Sequence, residues 1–221
     1  MTASQIFVLC AVVFATGAVG AITGGNSLIN VPLLIMFGVA PRSAVATNMF
    51  AVTFMTIAAT ARFARSGMIR TGLAIKLGGI AAVTAAVGAL LTVNMDGESV
   101  TTMVALSMIA VAVFMIVNRR GQRDEPEKQI DPAAVARRHT IGYILSVALG
   151  VYGGLFSGGY TTLMTVLCVW AFSLTMLEAV ALTKPINLVS CIAASLVFFA
   201  GGLIDLRLGL PLAAANLFGG W

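Results

Sequence analysis

Charged residues are scarce in this sequence, at 10% of 221 residues, against roughly a quarter in an average soluble domain. A water-soluble chain of this length would cover a core with charges, and there are too few here to do so. Histidine is nearly missing. Its single copy, His139, lies at the end of a hydrophilic stretch, so no serine–histidine pair inside an apolar segment is available for nucleophilic catalysis. Leu155-Phe156-Ser157-Gly158 likewise lacks the first glycine of an intramembrane protease's Gly-x-Ser-Gly. Three cysteines, Cys10, Cys168 and Cys191, all sit inside apolar runs with no CxxC or Cys/His spacing, which suggests neither a disulfide framework nor a metal site. There is no carboxylate pair within an apolar run and no phosphate-cradling glycine loop. An enzyme, an ATP-driven machine and a bound cofactor are all unsupported.

What the chain has instead is hydrocarbon. Hydrophobic residues make up 59%, and the mean hydropathy is +1.01. Only helices and closed barrels satisfy their backbone in lipid. Barrel strands alternate apolar and polar residues, whereas these apolar runs are long and unbroken. The expected fold is all-α, a polytopic transmembrane helical bundle. The net charge of +5 does not point to nucleic acid. Its basic residues cluster between apolar runs, at Arg62, Arg65 and Arg70, at Arg119, Arg120 and Arg123, and at Arg137 and Arg138. Cytoplasmic loops carry such an excess for topogenic reasons. The expected surroundings are a lipid bilayer and a small-molecule partner, with room for assembly as a homo-oligomer.

Apolar runs fall at about 5–22, 27–39, 44–61, 71–93, 100–118, 140–156, 161–175, 179–200 and 208–221. A full crossing needs about 20 residues. The runs 27–39 and 161–175 are short, and each follows a small, polar, glycine-rich break: Thr23-Gly24-Gly25-Asn26-Ser27 and Ser157-Gly158-Gly159-Tyr160-Thr161. No Lys or Arg precedes Arg42, so 5–22 reads as a membrane segment that stays rather than a cleaved signal. The stretch 119–139, with ten charges plus Pro126 and Pro132, reads as a cytoplasmic linker between a first membrane repeat, 1–118, and a second, 140–221.

The two halves resemble each other. Gly24-Gly25 aligns with Gly158-Gly159 at an offset of 134 residues, and Ala44-Val45-Ala46 with Ala179-Val180-Ala181 at 135. That second offset also pairs Gly67-Met68-Ile69 with Gly202-Leu203-Ile204. Internal symmetry with a glycine-interrupted short segment in each half points to secondary transporters. Loop 62–70, with three arginines, and the linker should be cytoplasmic, while loop 94–99, with Asp96 and Glu98, should be outside. Loop 201–207 has only Asp205 and Arg207. The expectation is therefore an inverted repeat with the N-terminus outside, each short pair entering and leaving by one face; parallel repeats are the alternative. By the repeat's arithmetic, the second copy stops at Trp221 roughly 30 residues early.

A helix that begins inside the membrane points unpaired N–H groups and a partial positive charge at whatever lies before it. Two such ends meeting near the midplane would cradle an oxyanion. The candidate binding residues are Thr23, Gly24, Gly25, Asn26 and Ser27 in the first break, and Ser157, Gly158, Gly159, Tyr160 and Thr161 in the second. Gly17, Gly20, Gly150 and Gly153 read as helix-packing glycines. Lys184, in Thr183-Lys184-Pro185, is a cation within an apolar run, expensive unless partnered. It is either counter-charge for an anion or snorkels or pairs with Glu178. Thr47 and Asn48 offer neutral donors at the matching place, and Arg42 reads as an interfacial loop residue.

Gly24-Gly25-Asn26-Ser27-Leu28-Ile29-Asn30-Val31-Pro32-Leu33-Leu34 resembles the Gly-Gly-Gly-x-Leu-x-Val-Pro-x-Leu signature of the sulfite exporter TauE/SafE family of bacterial membrane transporters. Ala44-Val45-Ala46-Thr47-Asn48 is similar to its Ala-x-Gly-Thr-Ser or Thr-Asn-Lys segment, whose Lys is matched by Lys184. The second copy, Gly150 to Lys184, is looser. Asn26 and Tyr160 replace the third glycine, and Val166 stands where a second proline would be. The resemblance covers nearly the whole chain. It implies movement of small anions, sulfite and organosulfonates above all, without ATP, across a bacterial inner membrane. The alternative is a structural or assembly subunit of a membrane complex.

Overall fold

The computed structural model describes residues 3–118 and 132–221, and every regular element among them is helical. Most of the expected linker, 119–131, lies outside the described residues. Among the described residues nine helices follow one another: α1 (Ala3–Thr23), α2 (Ser27–Met36), α3 (Pro41–Arg65), α4 (Thr71–Asn94), α5 (Gly97–Asn118), α6 (Pro132–Leu155), α7 (Tyr160–Phe172), α8 (Met176–Ala200) and α9 (Leu206–Gly220). Each corresponds to one apolar run. Five are long and apolar enough to cross a membrane: α1, α3, α4, α5 and α8. The short helices α2 and α7, of 10 and 13 residues, rise only about 15 and 20 Å, too little for a core of about 30 Å.

Boundaries follow from local chemistry. α3 starts earlier than its apolar run because Pro41 occupies the first turn, where its missing N–H costs nothing. Arg42 therefore belongs to a helix rather than a loop, and its Nη1 donates to the Val93 carbonyl at 3.2 Å. α8 opens on a capping box in which Thr175 and Glu178 satisfy each other's backbone amides. Asp205 caps α9 by accepting from the Arg207 and Leu208 amides. α6 begins at Pro132, so Arg137, Arg138 and His139 lie on a helix rather than in the linker.

Contacts between helix ends fix the arrangement. At one end of the bundle Arg42 meets Val93, Val93 packs against Gly201, Pro41 lies beside Gly97, and Thr47 Oγ1 accepts from the Asp205 amide at 3.1 Å. At the other end Arg70 pairs with Glu178 at 2.9 Å, and Arg62 donates to the Trp221 carbonyl at 2.6 Å. Arg65 lies 5.3 Å from the centre of the Trp221 ring. Phe172, closing α7, packs against His139 and Tyr143 near the start of α6, with ring centres 5.4 and 5.3 Å away. The α6–α7 pair is thus a hairpin that returns to the end from which it set out.

The packing is reciprocal between the halves. α4 lies mainly on α8 and α6, α9 lies mainly on α3 and α1, and α3 and α8 meet each other. Glycines allow these approaches, as expected for small residues in membrane interfaces. A Cβ at Gly150 would collide with Thr84 of α4, and one at Gly17 would stand 2.9 Å from Asn216 Oδ1 of α9.

Candidate substrate site

The glycine breaks interrupt α1–α2 and α6–α7, and the bundle brings them together. Gly24 ends α1 with its amide on the Gly20 carbonyl at 2.8 Å and its backbone left-handed at φ +80°. A residue with a Cβ avoids that conformation. Gly159, at φ +75°, turns the chain into α7 in the same way, with Ser157 beside it at φ +64°. Across the gap Thr161 Oγ1 donates to the Gly24 carbonyl at 2.9 Å, and Thr162 Oγ1 to the Thr23 carbonyl at 2.7 Å. Leu28 of α2 reaches Gly158. The N-terminal ends of α2 and α7 therefore sit side by side.

Neither helix start is fully satisfied from within. Tyr160 donates to the Ser157 carbonyl at 3.2 Å and Leu163 to that of Gly159 at 3.0 Å. Leu28 donates to the Gly25 carbonyl at 3.1 Å, and Asn30 to that of Asn26 at 3.0 Å. Among the described residues the amides of Ser27, Thr161 and Thr162 form no such backbone bond, and neither start has a side-chain cap. Such amides and the helix dipoles together favour negative charge.

The two positions that depart from the glycine signature are packed alike. Asn26 lies against Gly20 of α1, and Tyr160 lays its ring on Gly153 of α6. The packing glycines Gly20 and Gly153 thus each make room for a larger break residue. Asn26 Nδ2 reaches Met55 Sδ at 3.4 Å, midway along α3. Tyr160 is buried, and among the described residues its hydroxyl has no hydrogen-bond partner, an arrangement that costs about 1–3 kcal/mol.

The remaining candidates divide. Asn48 joins the site, donating to Ser27 Oγ at 2.9 Å. Thr47 does not, since its hydroxyl faces the cap of α9. Thr23 is exposed, with its hydroxyl on the Val19 carbonyl at 3.1 Å; its carbonyl, not its side chain, meets the second break. Among the described residues a Cβ added at Gly25 would meet only Leu28, and one at Gly159 would run into Val111 of α5. Lys184 is 2% exposed. Glu178 pairs with Arg70 at 2.9 Å. Thr183, next to Lys184, lies 3.4 Å from Thr165, which in turn donates to the Thr161 carbonyl at 2.7 Å.

Sequence reasoning missed Thr162, Thr165 and Tyr152, whose hydroxyl donates to the Gly158 carbonyl. Thr162 and Thr165 follow the second break within one turn and a half, so their spacing was a usable signal. Tyr152 precedes the break by six residues and could be assigned only once α6 was seen to end at Leu155. Among the described residues no group of His, Cys, Asp and Glu could hold a metal ion.

Two broken hairpins with apposed N-termini, inside a bundle of span-length helices, can be compared with known proteins. The family model for the sulfite exporter TauE/SafE matches residues 9–221. The chain belongs to this family. A "Probable membrane transporter protein" of Haemophilus influenzae is 26% identical over 219 residues, covering 96% of this chain and 81% of that one. The "Probable membrane transporter protein ORF9" of a Sinorhizobium species is 24% identical, covering 93% and 77%. The "Probable membrane transporter protein YfcA" of Escherichia coli K12 is also 24% identical, covering 96% and 77%. No solved structure matches the chain. This TauE/SafE protein is thus a membrane transporter and not an enzyme. Its helical spans and bacterial relatives make it a multi-pass protein of a bacterial inner membrane.

Proposed function

We propose that this transporter is a secondary carrier of small oxyanions, with sulfite and organosulfonates the leading substrates, and that the anion lodges between the N-terminal ends of α2 and α7. The observation that carries this reading is the direct contact between the breaks, Thr161 to Gly24 at 2.9 Å and Thr162 to Thr23 at 2.7 Å. It places two positive helix ends and their free amides in one spot, where an oxyanion's several acceptors would be served at once. Ser27, Asn48, Thr161 and Tyr160 add neutral donors, and Lys184, buried in α8, supplies countercharge. The family description names sulfite, and the donor geometry suits any small oxyanion of that size.

The reading includes an inverted duplication. The reciprocal packing of α4 on α6 and α8, and of α9 on α1 and α3, is what two copies of one unit would produce. The helix-end contacts place loop 62–70 and loop 201–207 at opposite ends, in agreement with opposed orientations. The arginines of loop 62–70 then face the cytoplasm.

A ligand that binds the folded state raises its melting temperature by mass action. Purified protein in detergent should therefore melt higher in sulfite, sulfoacetate or thiosulfate than in matched chloride. A panel of these anions, sulfate and small carboxylates that leaves the melting temperature unchanged at millimolar concentration would count against the site.

A further inference from the structure

The inward stripe of α9 runs through Leu208, Leu212, Ala213, Asn216 and Gly220, and one carboxamide interrupts it. Asn216 is 0% exposed, and among the described residues neither its Oδ1 nor its Nδ2 has a hydrogen-bond partner. It lies on α1 at Gly17, whose missing side chain lets the Oδ1 come close. One position back along α1, Thr16 Oγ1 donates to Asn30 Oδ1 of α2 at 2.8 Å. Asn30 is also buried, and its Nδ2 is likewise without a partner among the described residues. Three helices thus bring two carboxamides and a hydroxyl to adjacent positions of α1. An unpartnered amide is costly in a protein interior. If Asn216 served only to tie α9 to α1, it would bond across that interface, as asparagines between membrane helices do.

We propose that Thr16, Asn30 and Asn216 form a binding site for one monovalent alkali-metal cation, the coupling ion of the carrier. The coupling role rests on the anion-carrier reading above; the binding role does not. Hard cations take oxygen ligands. The Oδ1 atoms of the two carboxamides and the Thr16 hydroxyl supply them, the hydroxyl turning its proton to the Val13 carbonyl 3.2 Å away. None of the three is charged, which disfavours a divalent ion, because the cost of taking an ion out of water rises with the square of its charge. A proton has no place here, since neither a carboxamide nor a hydroxyl takes one up near neutrality. Asn30 follows Ser27 by three residues on α2, a rise of about 4.5 Å. The cation therefore stands about one helical turn from the proposed anion position. At that separation opposite charges in a low dielectric attract, and each ion raises the affinity for the other.

The test is a thermal melt of the purified full chain in detergent, without any oxyanion substrate, in sodium chloride against N-methylglucamine chloride at equal ionic strength. Sodium should raise the midpoint along a saturating curve. Asn216→Leu replaces an unpartnered amide by an apolar group of similar size, so it should fold and lose the sodium response. Asn216→Asp should tighten sodium about tenfold and let calcium shift the midpoint as well, because affinity follows the number of charged ligands. An asparagine with a purely structural role would give neither change. In sodium, the sulfite concentration that gives half of its own midpoint shift should fall, and sulfite should tighten sodium by the same factor. Equal melts of the unaltered chain in the two salts, or a sodium response unchanged in both variants, would overturn the site. A sulfite response indifferent to sodium would overturn the coupling. A sodium response with no response to any oxyanion would instead fault the anion reading and leave the cation site standing.

Discussion

Replacing Gly24 by alanine tests whether the two breaks truly hold one another. Its backbone is left-handed at φ +80°, which costs a residue with a Cβ about 1–2 kcal/mol. The new Cβ would also stand 2.5 Å from Thr161 Cβ and closer still to its hydroxyl, so Thr161 must move. That movement breaks the 2.9 Å bond to the Gly24 carbonyl, worth about 1 kcal/mol, and adds overpacking of about 1–3 kcal/mol. The total is about 3–6 kcal/mol. Gly38→Ala supplies the control, because Gly38 has φ +86° with nothing near its Cβ position, so only the backbone cost of about 1–2 kcal/mol remains. Thermal melts in detergent should rank Gly24→Ala well below Gly38→Ala. Removing the nearest obstruction, the Thr161 hydroxyl, with Thr161→Ala leaves the Cβ contact but should restore part of the loss, a coupling of about 0.5–3 kcal/mol in the double-mutant cycle. If Gly24→Ala melts with Gly38→Ala, or if Thr161→Ala restores nothing, the breaks do not depend on each other and the site reasoning fails.

Thr161→Val keeps the side-chain shape and deletes the bond to Gly24, so it should lower stability by about 1 kcal/mol, measured as a shift in the melting midpoint. Lys184→Gln should leave the protein folded and inserted while weakening apparent anion affinity about ten- to a hundredfold, the worth of a charge-assisted contact. Normal uptake below half-saturation would remove Lys184 from the anion site. Lys184→Arg should rescue only in part, since a forked guanidinium does not occupy an ammonium's place. For topology, single cysteines at Ser66 and Arg207, in a background without the native thiols, should react with impermeant reagents from opposite faces of the membrane. Labelling from the same face contradicts the inverted repeat.

Much of the architecture is legible in the sequence because hydrocarbon imposes a simple rule: each apolar run becomes a helix. Where run and helix differ, polar residues at the ends are responsible. α6 takes in Arg137, Arg138 and His139, which a hydropathy reading assigns to a linker although nothing prevents them from being helical beyond the lipid. The breaks are legible because a Gly-Gly pair followed by small polar residues interrupts an otherwise continuous run. Their partners are not. Thr162 meets Thr23 from 139 positions away, and Asn48 finds Ser27 while its neighbour Thr47 turns to α9. One residue's step around a helix separates those two fates, and only the direction of the neighbouring helices decides them. The choice for Lys184, between counter-charge for an anion and snorkelling or pairing with Glu178, is of the same kind. A position a few residues into a run can face either way, and the packing of α8 turns this one inward.

Uptake of labelled sulfite into proteoliposomes containing only the purified chain tests the central claim most directly. The account predicts saturable, protein-dependent flux without ATP, competed by other small oxyanions and strongly reduced by Gly24→Ala relative to Gly38→Ala. Flux no greater than in protein-free vesicles, for sulfite and for every oxyanion offered in its place, would contradict it.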